Sequence, residues 1–369
     1  MAAVAQISFF SDPAGRLPQQ LLQDWPTLPM LAEAAALGGA RVAVIQASEH
    51  IEQFCRDGVD YHFLPFDREP ARLRALLEQL QPEVLHMQGL GFAREVLGLA
   101  AMAPGLPIVL QDRADRPSRR PWKWLQQRRA MSVARGLMFC AREQAAPFRR
   151  RGLIPTGLPI YELPGSSCSF QPRDQTEARR ATGLAGNPCL LWVAHLDRNK
   201  DPLTVLEAVA RAAEKLPGLQ LWCCFGQTPL LMEVQARIAA DPRLTGRVHL
   251  LGAQPYERIE QLMSAADFFV QGSHHESTGY SLLEALACGL PPLVTDIPSF
   301  RTLVGEEGAL WRVGDAAQLA RLLVELSTES PAVAARRRAA TRQRFEACWS
   351  PAALGRRLCA VYQDLLSTS

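Results

Sequence analysis

Short runs of apolar residues alternate along the chain with longer amphipathic segments. In the first half, the runs that predict strands are VAQISFF (4–10), ARVAVIQ (40–46), YHFLP (61–65), EVLHMQ (83–88), PIVLQD (107–112) and GLMFCA (136–141). Helical patterns lie between them, among others over 26–38, 69–80 and 122–134. Apolar strands separated by helices are typical of a parallel sheet that is covered by helices on both faces.

The alternation stops at a segment rich in Pro, Gly and Ser, 162–175, which we interpret as a linker. It then restarts with the runs CLLWVAHL (189–196), LQLWCCFG (219–226), RVHLLG (247–252), ADFFVQGS (266–273), PPLVTD (291–296) and ALWRVG (309–314). An Arg-rich helical tail is interrupted near Pro351, a residue that fits the first turn of a new helix. The sequence therefore predicts an α/β fold of two Rossmann-like, doubly wound domains over 1–165 and 176–345, and a C-terminal helix over 346–369 that packs back toward the first domain.

Composition restricts the class of protein. The length of 369 residues suits two domains, and 48% hydrophobic with 21% charged residues is typical of a soluble globular protein. A net charge of +3 does not call for nucleic acid. The nine cysteines form no C-x-x-C pair, which favours reduced thiols in a cytosolic protein. Because we find no signal peptide and no apolar run of about 18 residues, we expect a cytoplasmic protein without a membrane span.

Two acids, Glu276 and Glu284, follow the predicted strand 266–273 on either side of a turn and a helix start. Ligands of open α/β sheets bind beyond the carboxyl ends of the strands. The first residues of this helix would present free N–H groups at its positive end, a ready site for a diphosphate. The residues expected to offer them are Gly279, Tyr280, Ser281 and Leu282.

Simpler interpretations of the same stretch remain open. Ser281 and Glu284 spell S-x-x-E, a capping box in which the glutamate only bonds back to the helix start. Glu276 has the alternative of a solvated loop carboxylate. His274 and His275 suggest a metal, but no matching ligand set follows at a suitable spacing, so we predict no metal.

A second cluster follows the strand that begins near 189. Asp201 fits the N-cap of a helix and Pro202 its first residue, so Arg198 and Lys200 would lie beside a positive helix end. A cation there is mildly unfavourable unless an anion is shared, which predicts further phosphate ligands. The alternative for Lys200 is a loop lysine that faces water.

A third cluster is the basic run 113–136, which contains Trp122, Lys123 and Trp124 among several arginines. One interpretation is a surface that contacts anionic lipid or a polyanionic acceptor. The alternative is a solvated helix face. The usual P-loop, G-x-G-x-x-G and G-x-S-x-G motifs are missing from the sequence, which disfavours an NTPase, a dehydrogenase and a serine hydrolase.

These residues also carry a resemblance. The segment SHHESTGYSLLEALACGLPPLVTDIPSFRTLVG resembles the Glu-x7-Glu region of the family 4 retaining glycosyltransferases of GT-B fold. WVAHLDRNKDPLTVLEA is similar to their G-R-L-x-x-x-K segment, and flanking sequences extend the similarity over most of 189–369. The resemblance implies two domains that face each other across a cleft, with a nucleotide sugar bound there.

The resemblance also implies roles for individual residues. Glu284 would hold ribose hydroxyls, Glu276 would lie by the transferred sugar, and Lys200 would neutralise the leaving diphosphate. The segments 225–227 and 249–252, the latter ending in Gly252, would face the nucleobase. Transfer would retain the anomeric configuration and require neither a metal nor a cofactor other than the donor substrate.

Some positions depart from the family pattern. His195 stands where the family has arginine, so one phosphate contact carries a charge that depends on pH near neutrality, and Arg198 is a candidate to replace it. In the first half, Gly15 matches an early glycine loop and His86 a histidine with a place in catalysis. Arg113 stands where many members have a histidine and is the candidate acceptor residue.

We therefore expect an enzyme that transfers a hexose from a nucleotide-diphosphate sugar to an acceptor hydroxyl on a sugar, a lipid-linked sugar or a small molecule. The process would be polysaccharide, glycolipid or natural-product assembly, either free in the cytoplasm or peripheral to the inner face of the membrane through 113–136. The alternative is a catalytically silent protein of the same fold that binds a nucleotide sugar or acts as a scaffold.

Overall fold

The computed structural model describes residues 2–367, apart from the side chain of Pro121. The chain forms two compact α/β units. Unit 1 contains the described residues up to Ser167 and those from Pro351 onward, and unit 2 is Cys168–Ser350. The predicted domain limits at 165 and 176 lie on either side of the first unit boundary. The predicted start of the last segment, 346, lies a few residues before Pro351.

Unit 1 is built on one eight-stranded sheet in the order β3-β4-β2-β1-β5-β6-β7-β8. Its strands are β1 (Ala3–Ser8), β2 (Arg41–Ala47), β3 (Glu52–Arg56), β4 (Val59–Leu64), β5 (Val84–Gln88), β6 (Ile108–Gln111), β7 (Gly136–Phe139) and β8 (Ile160–Glu162). All neighbouring strands are parallel except the β3–β4 hairpin. The six predicted strands of this half are confirmed.

The two strands that the sequence pattern missed, β3 and β8, lie at the edges of the sheet. β3 alternates between exposed and half-buried residues, so it lacks a long apolar run. The hairpin that follows it turns at Asp57 and Gly58, both with positive φ (49° and 76°). Asp-Gly is a strong signal for such a two-residue turn and marks β3 in the sequence.

Helices cover both faces of this sheet. They are α1 (Pro18–Asp24), α2 (Thr27–Leu37), α3 (Pro70–Leu80), α4 (Ala93–Met102), α5 (Trp124–Val133), α6 (Ala146–Arg150) and, from the end of the chain, α15 (Pro351–Ser367). One apolar core joins α2 and α15 to the sheet through residues such as Val42 and Leu354. A second core joins α3, α4 and α5 to the other face, around Ile45 and Leu85. The strands inside the sheet are mainly apolar because both of their faces are buried.

Unit 2 has a six-stranded, fully parallel sheet in the order β11-β10-β9-β12-β13-β14. Its strands are β9 (Cys189–Val193), β10 (Gln220–Cys224), β11 (Val248–Gly252), β12 (Phe268–Gln271), β13 (Pro292–Thr295) and β14 (Ala309–Trp311). All six predicted strands are present, each shorter than its apolar run. Such a sheet places ligands beyond the carboxyl ends of its strands.

The helices of unit 2 follow its strands in alternation. They are α7 (Gln175–Thr182), α8 (Pro202–Ala213), α9 (Leu231–Ala239), α10 (Tyr256–Ala265), α11 (Tyr280–Ala287), α12 (Pro298–Val304), α13 (Ala316–Ser327) and α14 (Pro331–Cys348). Within residues 2–367, no helix is both long and apolar enough to cross a bilayer.

Helices α2 and α15 approach each other closely at two glycines. A Cβ added at Gly355 would lie 2.0 Å from the Ala34 carbonyl oxygen, and one added at Gly38 would lie 2.4 Å from the Gly355 backbone. The last helix therefore packs on unit 1 with backbone against backbone, which only glycine permits.

We predict that Gly355→Ala lowers the free energy of unfolding by about 1–3 kcal/mol, because the added methyl forces the two helices apart. Gly98→Ala is the matched control, since Gly98 lies inside α4 and a Cβ there meets no atom within 4 Å. This control should gain about 0.5–1 kcal/mol from helix propensity. Urea unfolding of both variants checks the prediction, and equal effects would contradict it.

Candidate functional site

A pocket of about 360 Å³ lies in unit 2 beyond the carboxyl ends of β9, β10 and β12. Six of its lining residues are predicted site residues: His195, Lys200, Glu276, Tyr280, Ser281 and Glu284. Eight others complete the wall: Val193, Ala194, Cys224, Phe225, Gly226, Ala253, Gln254 and Ile259. The volume is in the range of small-molecule sites, and charged groups stand on a mainly apolar wall as such sites require.

Glu276 forms the centre of a network at the floor of this pocket. Its Oε1 atom forms an ion pair with the Lys200 ammonium and accepts a hydrogen bond of 2.6 Å from the Ser273 hydroxyl. The Gln271 amide donates to the same oxygen at 3.4 Å. The Lys200 and Glu276 side chains are only 17% and 13% exposed, so the pair is partly desolvated. The alternative of a loop lysine and a loop carboxylate in water is therefore wrong.

The loop that carries Lys200 is fixed by its neighbours. Asp201 is the N-cap of α8, with a positive φ of 51°, and Pro202 is the first helical residue, as predicted. The Asp197 carboxylate accepts the Lys200 N–H at 2.9 Å. The Asn199 side-chain amide donates to the His275 carbonyl at 2.9 Å, which ties this loop to the loop after β12. Short polar side chains and a capping proline thus aim Lys200 into the pocket.

Helix α11 begins at the pocket and directs its positive end toward it. Its N-cap, Gly279, has a φ of 95°, and a Cβ there would lie 2.4 Å from the Phe300 ring. The N–H groups of Leu282 and Leu283 both donate to the Gly279 carbonyl, at 3.1 and 3.2 Å. The prediction of a free N–H at Leu282 is therefore wrong, because this group closes the first turn of the helix.

Glu284 lies one turn into α11 and lines the pocket. The capping box with Ser281 does not form, because the helix begins one residue earlier, at Tyr280, and the Ser281 hydroxyl donates to Gln271 Oε1 at 3.3 Å. Burial raises the pKa of the Glu284 carboxyl to about 8. Within residues 2–367, desolvation causes this shift and no hydrogen bond to the carboxyl offsets it. The carboxyl thus lines the pocket and does not cap the helix.

His195 lines the pocket as an exposed side chain whose Nδ1 accepts the backbone N–H of Gln227 at 3.2 Å. This bond uses Nδ1 as the acceptor of the ring. Nε2 is therefore the ring nitrogen of His195 that remains available to a ligand.

Four predicted donor residues of unit 2 lie outside the lining: Gly279, Leu282, Arg198 and Gly252. Arg198 is an exposed loop residue, and Gly252 ends β11, where its carbonyl accepts the N–H of Phe225 at 2.9 Å. Ala253 and Gln254, which follow Gly252, line the pocket instead. His274 contacts Asp201, with 3.3 Å between its Nε2 and the carboxylate. Among residues 2–367, no three His, Cys, Asp or Glu side chains are grouped to hold a metal ion.

The predicted residues of the first half belong to unit 1, and none lines this pocket. Gly15 closes an exposed turn by donating to the Asp12 carbonyl at 3.1 Å. The Arg113 guanidinium donates to the Gly165 carbonyl at 2.8 Å.

His86 lies in the core of unit 1 and not at the pocket. It is fully buried on β5, with Nδ1 2.9 Å from the Tyr362 hydroxyl and Nε2 3.0 Å from Gln111 Oε1. Desolvation, together with the positive charge of Arg113, lowers the pKa of His86 to about 3. A neutral, fully buried histidine with both ring nitrogens bonded joins β5, β6 and α15, and this geometry does not support the predicted catalytic role.

Sequence reasoning missed Gln271 and Ser273, which hold Glu276. Both are fully buried, yet they end an otherwise apolar strand run, ADFFVQGS. Polar residues at the buried carboxyl end of a parallel strand are the signal that could have identified them, because burial of an amide or hydroxyl is costly without a partner.

Comparisons with known proteins match the part of the chain that contains this pocket. Residues 174–344 match the family model described as glycosyl transferases group 1. The D-inositol 3-phosphate glycosyltransferase of Nocardia farcinica is 32% identical over 169 residues, which cover 43% of this chain and 38% of that protein.

Solved structures share the fold over the whole chain. Sucrose-phosphate synthase from Thermosynechococcus elongatus has a TM-score of 0.75 at 18% identity, with 100% of both chains covered. Anabaena HepE in complex with UDP and glucose has a TM-score of 0.69 at 16% identity, covering 99% of this chain and 100% of that one. At such identities the likeness shows the fold alone.

The buried carboxyl of Glu284 should make stability depend on pH. An unfolded glutamate loses its proton near pH 4.3, whereas the folded protein holds it up to about pH 8. Folding is therefore disfavoured progressively as the pH rises between these values. Glu284→Gln lacks this loss, so its melting temperature should exceed that of the wild type by a margin that widens from pH 5 to pH 9. Thermal unfolding checks this, with Glu325→Gln on the exposed face of α13 as the control; parallel curves for Glu284→Gln and the wild type would contradict it.

The chain spans less than half the length of the D-inositol 3-phosphate glycosyltransferases that it matches. The family match nevertheless contains the whole pocket, with Lys200, Glu276 and Glu284. Residues 174–344, which contain the pocket, are thus similar to the group 1 glycosyltransferases, and the whole chain shares its fold with sucrose-phosphate synthase.

Proposed function

We propose that this protein transfers a hexose from a nucleotide-diphosphate sugar to an acceptor hydroxyl, with retention of the anomeric configuration. The acceptor would be a sugar, a lipid-linked sugar or a small molecule in polysaccharide, glycolipid or natural-product assembly. The observation that carries the proposal is the convergence of Lys200, Glu276 and Glu284 on one pocket at the start of α11. The UDP and glucose bound to Anabaena HepE support a nucleoside diphosphate as the class of ligand.

The charges of the pocket suit the departure of a diphosphate. Negative charge builds on the leaving phosphate while the sugar gains oxocarbenium character. Lys200 and the positive end of α11 would stabilise the phosphate, and His195 would donate to it from Nε2. Glu276 would stabilise the positive sugar, and Glu284 would bind ribose hydroxyls. In this proposal protein groups supply the positive charge, so that no divalent metal is required.

Lys200 has a second partner in this scheme. In the structure it is bound to Glu276, and an incoming diphosphate would compete for the ammonium. The ion pair thus balances the charge of the pocket before the donor binds, because a partly buried charge without a partner is destabilising.

Thermal-shift measurements with UDP, GDP, ADP and dTDP test the donor site. A ligand at about 100 times its dissociation constant should add roughly 2.7 kcal/mol of stability. We expect one nucleotide to stabilise the wild type and to lose this effect in Lys200→Met and Glu284→Gln. Lys215→Met, which removes an exposed lysine of the same unit, should respond like the wild type.

Release of the nucleoside diphosphate from the matching nucleotide sugars then tests turnover. NMR of the product glycoside identifies its anomeric configuration. A wild type that binds a nucleotide but releases none would favour the catalytically silent nucleotide-sugar binding protein. Absence of binding by all four nucleotides would overturn the donor site.

We also propose that the basic run 113–136 contacts an anionic membrane surface on the cytoplasmic side. Trp122 and Leu125 are 73% and 60% exposed, although both are large apolar side chains. The run carries seven arginines and Lys123 against the single acid Asp115, a net charge of +7 in a chain whose total is +3. Exposed apolar side chains within a basic surface are typical of an interfacial helix.

Cosedimentation with vesicles checks the membrane contact. We expect binding to phosphatidylcholine vesicles that contain phosphatidylglycerol and none to phosphatidylcholine alone. Arg128→Gln should weaken binding about fivefold, since one cation near such a surface contributes about 1 kcal/mol. Trp122→Ser should weaken the binding that persists at high salt. Equal binding to both kinds of vesicle would contradict the proposal.

A further inference from the structure

The carboxylate of Glu276 is held by two kinds of partner, one partly exposed and one fully buried. Lys200 reaches it on a long side chain that remains partly exposed at the pocket. Ser273 and Gln271 are fully buried and belong to the end of β12 and the residues directly after it. The two kinds of partner therefore differ in their freedom to leave Glu276 when a ligand arrives.

Ser273 is fixed on both its side chain and its backbone. Its hydroxyl donates to Glu276 Oε1 at 2.6 Å and accepts from the Gln271 amide at 2.9 Å. The Ser273 carbonyl accepts the hydroxyl of Thr295, at the end of the neighbouring strand β13. The bond of 2.6 Å from the Ser273 hydroxyl to the Glu276 carboxylate is charge-assisted and stronger than a bond between neutral groups.

Gln271 connects the same carboxylate to helix α11. Its Nε2 donates to Ser273 and, at 3.4 Å, to Glu276, while its Oε1 accepts the Ser281 hydroxyl at 3.3 Å. The other residues of β12 are Phe268, Phe269 and Val270, so Gln271 is the polar residue of an otherwise apolar, buried strand. A leucine or methionine would fit the strand without the cost of desolvating an amide, and the hydrogen bonds are what offsets that cost.

We infer that Ser273 and Gln271 are positioning residues that keep the Glu276 carboxylate in place when Lys200 leaves it for the diphosphate. This inference rests on the proposed function, in which Lys200 binds the leaving group and Glu276 acts beside the sugar. Before the donor binds, Lys200 and Ser273 hold Glu276 together. Once the donor is bound, the buried partners continue to hold it, so their loss is felt during turnover rather than in nucleotide binding.

Kinetics of donor cleavage test whether Ser273 and Gln271 act in turnover and not in nucleotide binding. In Ser273→Ala and Gln271→Met, kcat for release of the nucleoside diphosphate should fall about 10- to 100-fold, the effect of a reacting group displaced by about 1 Å. The dissociation constant of the free nucleoside diphosphate should stay within about twofold, because Lys200, Glu284 and α11 remain. Unchanged kcat, or equal losses in kcat and in nucleotide affinity, would overturn the inference.

Ser264→Ala is the matched control for loss of a buried hydroxyl. Ser264 is also fully buried, in α10, and its hydroxyl accepts the backbone N–H of Arg173 at 3.2 Å. This variant should be destabilised to a similar extent as Ser273→Ala yet keep the wild-type kcat. A parallel fall in kcat would mean that general loosening of unit 2, rather than the position of Glu276, explains the effect.

A double-mutant cycle tests the contact without any turnover. Thermal unfolding of Ser273→Ala, Glu276→Ala and the double variant should give non-additive shifts in melting temperature, because each substitution removes one partner of the same bond. The non-additivity should persist in a Lys200→Met background, since the hydroxyl does not depend on the lysine. Additive shifts would overturn the positioning role. Non-additive shifts in a protein that cleaves no nucleotide sugar would instead leave the positioning role and overturn the proposed function.

Discussion

The candidate site depends on one set of contacts, the ion pair of the Glu276 carboxylate with Lys200 and its hydrogen bond from Ser273. It joins the loop after β9 to the loop after β12, two neighbouring strands of the parallel sheet. Because the ammonium and the carboxylate are both largely removed from water, each would be unfavourable in the pocket without the other. The pair therefore allows two opposite charges to be held ready on one wall of an otherwise apolar pocket.

Backbone geometry supports this pair from both sides. Positive φ at Asp201 and at Gly279 starts helices α8 and α11 at the edge of the pocket. At Gly279 the close approach of Phe300 adds a steric reason for glycine. Gly272, in the loop after β12, also permits close packing, since a Cβ there would lie 3.1 Å from the Lys200 carbonyl. Small residues thus bring the ends of two helices and two loops within reach of one ligand.

Buried polar residues have different roles in the two units. In unit 1, His86 bonds to both Gln111 and Tyr362 within the core and so fixes α15 on the sheet. In unit 2, Gln271 and Ser273 bond to a carboxylate that lines a pocket. A histidine that sequence comparison suggests for catalysis can therefore belong to the structure of the fold, while a glutamine without any motif belongs to the site.

The sequence by itself determined the two sheets, because parallel strands buried on both faces require the continuous apolar runs that we identified. It also determined the positions of Lys200, Glu276 and Glu284, since capping residues and glycines fix where the loops after the strands begin and end. It missed the edge strand β3, whose half-exposed residues have no apolar run. Only the tertiary structure decided between a capping box and a pocket residue at Glu284, and between a cleft residue and a core residue at His86. In both cases the decision depends on which side chains surround the group, and spacing along the chain does not specify those neighbours.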